Sequence, residues 1–261
     1  MPLFLSRFFC LLAFTGFINF IYCQNYAVND IPDSLKKDAH AVVRFDSVHI
    51  SFTNINGYVY SEEKVITVLD ATLERLGMVA VPFNDREVVK DFSAWLYDAK
   101  GDLVDRSEKH DVGDLSGSVQ TLATSTRLKM INMNKLRPPF TVKYVYVKEV
   151  SGTAFIPRWA PANELGESVE KAVLNVGRDE DMEIKYDLNK ISVPAMKGAN
   201  YLWQLSGFVA LRKESYGQGL TDLLPWVELM PLNFELYNVR GSSASWNDIG
   251  KFMNALRQGK D

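Results

Sequence analysis

The sequence predicts an all-β fold, an antiparallel β-sandwich of many short strands that carries a C-terminal amphipathic helix. Three observations lead there. Short apolar runs alternating with period two recur from Val48 to Phe208, set apart by turn residues. The strongest run, "FTVKYVYVKEV", is dense in β-branched and aromatic residues and begins after Pro138 and Pro139. Only after Ser245 does the spacing change to three and four, placing Trp246, Ile249, Met253 and Leu256 on one helical face.

"MPLFLSRFFCLLAFTGFINFIYC" holds one base, Arg7, and then an apolar run to Cys23. That is the layout of a secretory signal peptide over residues 1–23, with cleavage before Gln24. Gly16 and Asn19 leave the run short for a membrane span. Lipidation at Cys23 and an uncleaved anchor are the other two readings; Tyr22 is bulky where a lipid-attachment motif takes a small residue. Residues 24–242 form the predicted sandwich, after a polar lead-in. In "VHISF", Val48, Ile50 and Phe52 share a face and His49 points outward. In "YVYSEEKVITVLD", Val65, Thr67 and Leu69 share one face, Ile66 and Val68 the other. "ATLERLG" reads as a short helical turn, and "LGMVAVPF" as a strand ended by Pro82.

"VVKDFSAWLYDAKGDLVD" reads as a hairpin, with Phe92, Ala94 and Leu96 on one face and Gly101 where the turn requires positive φ. Ala172, Leu174 and Val176 mark a further strand. "MEIKYDL" alternates, with Met182, Ile184, Tyr186 and Leu188 inward, and "NYLWQLSGF" adds another strand. Gly and Ser cluster in "NVRGSSAS", so residues 243–261 are assigned to a linker and the helix. Ser245 is its predicted N-cap, Asp248 its capping-box partner, and Arg257 suits its negative end. Gly259 is the predicted C-terminal cap.

Hydrophobic residues make up 47% of the chain and charged residues 23%, the balance of a folded domain. Net charge is −3, and no basic block stands out, which argues against nucleic acid as a partner. Cys10 and Cys23 both lie in the leader, so a chain beginning at Gln24 has neither a disulfide nor a thiol nucleophile. His40, His49 and His110 have no metal-ligand spacing. "SGSVQ" is not a nucleophile elbow, and "YGQGLTD" lacks the third glycine of a phosphate cradle. "RDEDME" has the acids for calcium but not the order of a calcium loop. The acid-rich segments read as solvated turns unless two carboxylates face each other across a cleft. No catalytic, cofactor or metal residue is assigned. Trp159 and Trp226 sit among prolines in "FIPRWAP" and "LLPWVELMP". They are read as packing residues first and as a ligand platform second.

Several segments carry a resemblance. "YAVNDIPDSLKKDAHAVVRFDSVHISF", "LVDRSEKHDVGD", "PPFTVKYVYVKEVSGTAFIPRW" and "PWVELMPLNFELYNVRGSSASWNDIGKFMNALRQGKD" together resemble the family called domain of unknown function 3857. The resemblance covers nearly the whole chain after the leader. It implies a β-sandwich at the N-terminus of exported proteins of Bacteroidetes-type bacteria, followed by a transglutaminase-like core with a catalytic cysteine, histidine and aspartate. No such catalytic residue matches a position here, because there is no cysteine after Cys23. The implied role is that of a non-catalytic accessory domain, exported to the periplasm or surface of a Gram-negative cell. Its implied partner is a core lying beyond Asp261, and its only membrane contact is through an uncleaved or lipidated leader. On this reading Trp159, Trp226, Trp246, Ile249 and Met253 are candidate interdomain or ligand contacts, and the terminal helix has its partner outside the sandwich. The alternative is a free-standing module that binds a glycan or a protein at the cell surface.

Overall fold

The computed structural model describes residues 26–116, 126–212 and 219–258. The signal-peptide assignment, most of "SGSVQ" and Gly259 lie outside those residues. Among the described residues there are fifteen strands. They are β1 (Ala41–Asn54), β2 (Gly57–Val68), β3 (Met78–Phe83), β4 (Glu87–Tyr97), β5 (Leu103–Arg106), β6 (Gly113–Ser116), β7 (Arg127–Asn132) and β8 (Phe140–Ser151). Then come β9 (Glu167–Gly177), β10 (Ile184–Asn189), β11 (Ala195–Lys197), β12 (Asn200–Phe208), β13 (Trp226–Pro231), β14 (Asn233–Leu236) and β15 (Val239–Ser242). Three α-helices are described: α1 (Asp33–Lys36), α2 (Leu220–Leu223) and α3 (Trp246–Arg257).

The fold is all-β. An eight-stranded sheet runs β11-β12-β9-β1-β2-β8-β4-β5. Its central strands are longer than the apolar runs suggest; β1 has 14 residues and β2 and β8 have 12 each. Every described pairing is antiparallel except β1 with β9, which is parallel. The β1–β2 hairpin turns at Asn54, whose side chain accepts from the Asn56 N–H, while Thr53 Oγ1 donates to the Gly57 carbonyl. The β4–β5 turn has Gly101 at φ 90, as its sequence requires.

Two of the three smaller sheets, β10–β13 and β3-β7-β6, lie on one face of the large sheet. The register aligns Ile50 with Tyr60 and Lys148, and Val43 with Ile66 and Val142. Over β1, β9 and β12 lies the β10–β13 pair, burying Ile50, Leu174, Trp203, Ile184 and Val227 together. Over β2, β8 and β4 lies the β3-β7-β6 sheet, burying Val79, Ile131, Leu96 and Phe140. Each such aliphatic or aromatic side chain contributes about 1.5–3 kcal/mol by leaving water. On the opposite face, Ile31 and Leu35 of the lead-in pack on Val42.

The alternation is met in β1, where Val48, Ile50 and Phe52 are buried and His49 is exposed. Three readings change. The strand β3 runs through Pro82 to Phe83, because β3 is the edge of its sheet and an edge strand tolerates a missing N–H. Tyr186 shares the inward face of β10 but remains more than a third exposed, its ring edge-on to Tyr201 and Trp203 at the sheet margin. In α3 the buried residue is Phe252, not the Trp246–Leu256 stripe. Phe252 packs edge-on against Phe234 at 4.9 Å and lies over Gly241. The helix therefore has a partner within the chain, the β14–β15 hairpin. Its N-cap is as expected, with Ser245 Oγ accepting from Asp248 N–H at 3.2 Å and donating to the Asp248 carboxylate at 2.6 Å.

Candidate functional site

Between the two apolar cores, the covered face of the large sheet turns polar. The pairing register places Asp46, Lys64 and Tyr144 side by side on β1, β2 and β8. The next row holds Val48, Glu62 and Tyr146, and the next Ile50, Tyr60 and Lys148. The Glu62 carboxylate accepts three phenol hydrogen bonds, from Tyr60 at 3.1 Å, Tyr144 at 3.1 Å and Tyr146 at 2.6 Å. The Tyr146 ring stacks on Tyr60 and on Tyr144.

Lys64 and Asp46 are both almost wholly buried, with Nζ 3.3 Å from Oδ2. Lys64 also donates to the Pro161 carbonyl at 3.2 Å. The pair is close enough for strong attraction, yet neither Asp46 oxygen has a well-directed hydrogen bond, and Trp159 Nε1 beside it has none either. Burial therefore dominates at Asp46 and pushes its carboxyl up to about 7, against the pull of Lys64. Burial works the other way at Lys64, but the charges of Asp46, Glu62 and Glu167 outweigh it and hold the ammonium above its usual range. Burial also raises Glu167, whose carboxylate accepts from the Asn163 and Glu164 N–H groups. The three tyrosines are raised by burial and by the negative charge of Glu62.

This polar centre holds down one segment, residues 152–166. Tyr58 Oη donates to the Phe155 carbonyl, Thr153 Oγ1 to Ile55, and Lys64 to Pro161. Trp159 exchanges both backbone hydrogen bonds with Val227, each at 2.9 Å, tying the segment to β13. Arg75 pairs with Glu164, and Arg158 with Glu228 at 2.6 Å. Thr153 and Ala154 donate to the Glu235 carbonyl, which brings in the β14–β15 hairpin and with it α3. This strap, residues 152–166, thus links the large sheet, β13 and, through the β14–β15 hairpin, α3.

The tryptophans fall in three settings. Trp159 is buried in the main core, so its ring is not presented to a ligand. Trp226, placed by sequence on a loop, opens β13; its indole donates to the Thr221 carbonyl and the Arg158 guanidinium covers its ring at 4.5 Å. Trp246 is 88% exposed and Met253 46%, with Ile249 half-buried between them. Trp246 and Met253 are thus the two assigned residues that present apolar surface to solvent.

His40 bonds the Asp70 carboxylate at 2.7 Å, and His110 lies 3.6 Å from Asp111. No group of three or more His, Cys, Asp or Glu residues able to hold a metal occurs among the described residues. In the acid-rich "RDEDME" segment, the carbonyls of Asp179, Glu180 and Met182 all accept from the Arg178 guanidinium. No helix among the described residues is long and apolar enough to cross a membrane.

Sequence reasoning missed Asp46, Glu62 and Lys64. The signal was present: Asp46 shares the parity of Val48 and Ile50, and Glu62 and Lys64 share that of Ile66 and Val68. Charges inside the apolar half of an alternating strand mark an interior polar cluster, not a solvated edge.

The sequence family "Domain of Unknown Function with solved-structure structure" (DUF3857) matches residues 34–207, and the chain belongs to it. The match spans β1 to β12, so it contains the whole polar centre and ends before β13. No curated protein matches the chain. Among solved structures, the fold is similar to that of a "putative protease" from Parabacteroides distasonis ATCC 8503, at 12% identity and TM-score 0.60, over 73% of this chain and 40% of that one. An M1 zinc metallopeptidase from Deinococcus radiodurans is similar over 73% of this chain and 42% of its own, at 9% identity and TM-score 0.34. An aminopeptidase A from Legionella pneumophila is similar over 77% and 22%, at 9% identity and TM-score 0.32. The chain thus spans less than half the length of the solved proteins it resembles.

Proposed function

We propose that this chain is the non-catalytic N-terminal module of a larger exported protein, and that α3 docks it onto a transglutaminase-like core further along the same polypeptide. The observation that carries the reading is the outer face of α3. Phe252 anchors the helix to β14–β15, so the helix is held in place while Trp246 and Met253 remain uncovered. Trp246 and Met253 lie seven residues apart on one face of this anchored helix, and covering an apolar side chain of this size is worth about 1.5–3 kcal/mol. The 40% coverage of the Parabacteroides protein and the lack of a cysteine after Cys23 support the same reading. The leader suggests export to the periplasm or the surface of a Gram-negative cell.

Two measurements test this. Residues 24–261 are expected to neither cleave casein nor release ammonia from a glutamine-donor peptide. Turnover that a substitution within residues 26–258 abolishes would overturn the non-catalytic role. The second measurement is on the product of the complete reading frame. It should contain a downstream Cys-His-Asp core, Trp246 emission should shift to the blue, and α3 amides should exchange more slowly than in the shorter chain. A reading frame without such a core, or an unchanged Trp246 spectrum, would refute the docking role.

A further inference from the structure

The strand β4 is only half covered on its outer side. β8 pairs with it from Glu87 to Tyr97, whereas β5 pairs only with Trp95–Tyr97. Ser107 extends that cover by one residue: its N–H donates to the Ala94 carbonyl at 2.9 Å, and its Oγ accepts from the Ala94 N–H at 2.8 Å. Ala94 therefore turns both backbone groups away from β8. Antiparallel ladders alternate, so Val89 in the next regular stretch also faces outward. Between them the register steps from Lys90–Val147 to Ser93–Val145, a bulge that sets Asp91 at φ 23. Among the described residues no strand lies against this outer edge.

The free edge borders a cleft of about 690 Å³ lined by Val89, Phe92, Arg106, Val112 and Lys129, among others. That volume falls within the roughly 300–1,000 Å³ of ligand clefts. Phe92 meets the Tyr146 ring edge-on at 6.4 Å, which joins the apolar floor of the cleft to the Glu62 cluster. The cleft carries three cations, Lys90, Arg106 and Lys129, against the carboxylates of Asp91 and Glu108. Glu149 lies 3.3 Å from Lys90, and Asp114 lies 4.0 Å from Lys129. Arg106 rests on the Trp95 ring and pairs with no carboxylate among the described residues.

The geometry points to a peptide-binding site: an extended polypeptide segment adds as a strand to β4, in line with β5, and sets an acidic side chain against Arg106. Only a backbone offers donors and acceptors at the spacing of an uncovered strand edge. Val89, Phe92 and Val112 supply the contacts for alternate side chains, and Arg106, the cation of the cleft with no carboxylate partner among the described residues, selects a carboxylate. The inference goes beyond the accessory role and does not depend on a docking partner for α3.

The probe is a bead library of capped random hexapeptides screened against the labelled protein. Retained sequences should be rich in β-branched residues with Asp or Glu at a fixed place. The resynthesised consensus should bind with a Kd on the order of 100 µM and shift the amides of Val89, Phe92 and Ser93. N-methylation of alternate peptide amides should weaken it at least about tenfold. Arg106→Glu, at an exposed side chain that leaves the fold intact by circular dichroism, should switch the selected acid to Lys or Arg. No enrichment, or binding indifferent to N-methylation, overturns the inference. Self-association of the protein through β4 would also overturn it, by assigning the edge to a second copy.

Discussion

Replacing Lys64 with Met keeps most of the stem and removes the ammonium from beside Asp46. Breaking a buried ion pair from one side typically costs about 3–5 kcal/mol, because the remaining charge is stranded. Here the cost should depend on pH. The carboxyl of Asp46 stands at about 7 in the folded protein. In the unfolded chain it titrates near the ordinary value of about 3.9. Between these values the folded state holds a proton that the unfolded chain has lost. The Asp46 contribution therefore favours folding increasingly as pH falls from 7 towards 4, by at most about 4 kcal/mol for three units. Without Lys64 the folded pKa rises further and the window extends above 7. The Lys64→Met penalty should then be largest at pH 8.5 and shrink by several-fold at pH 5. Asp46→Asn removes this pH dependence and strands Lys64, at a similar cost of about 3–5 kcal/mol at neutral pH. The double variant removes both charges and should fall within about 1–2 kcal/mol of the parent. Urea unfolding at pH 5, 7 and 8.5, followed by circular dichroism and tryptophan emission, measures all four proteins. Additive single effects, with a coupling below about 0.5 kcal/mol, would refute the buried pair. So would a Lys64→Met penalty equal at every pH.

Two further outcomes separate the anchor of α3 from its exposed stripe and test the strap. Phe252→Ala should cost about 3 kcal/mol and speed amide exchange across α3, whereas Trp246→Ala in the chain as it stands should change the melting free energy by less than about 0.5 kcal/mol. Gly152 has φ +81, and a Cβ there would lie 2.6 Å from the Glu235 carbonyl oxygen. Gly152→Ala should therefore cost more than about 1 kcal/mol and loosen the β14–β15 hairpin first, read by hydrogen exchange at Thr153 and Ala154.

Much of the fold is legible in the chain because strand periodicity is local. The alternation Val48, Ile50, Phe52 and the Gly101 turn need only their own neighbours to be read. The parallel pairing of β1 with β9 is not legible, since more than a hundred residues separate partners such as Val43 and Val169. The polar centre was half legible. Parity alone places Asp46, Glu62 and Lys64 on the apolar side of their strands. That they meet one another and three tyrosines depends on the β1–β2–β8 register. The helix face was misassigned because spacing gives an apolar stripe without saying which neighbour is near. Phe252 wins the buried position because Gly241 leaves room for its ring against Phe234.

By itself the sequence determined an all-β domain with a capped helix after it, and a chain from Gln24 onward with no thiol for catalysis. Only the tertiary structure decided which charges are desolvated, which tryptophan is buried, which is covered and which is left in water, and which half of β4 lacks a partner. The reason is physical. Alternation and capping arise from backbone geometry a few residues long, whereas desolvation and edge exposure depend on segments brought over a strand from elsewhere in the chain.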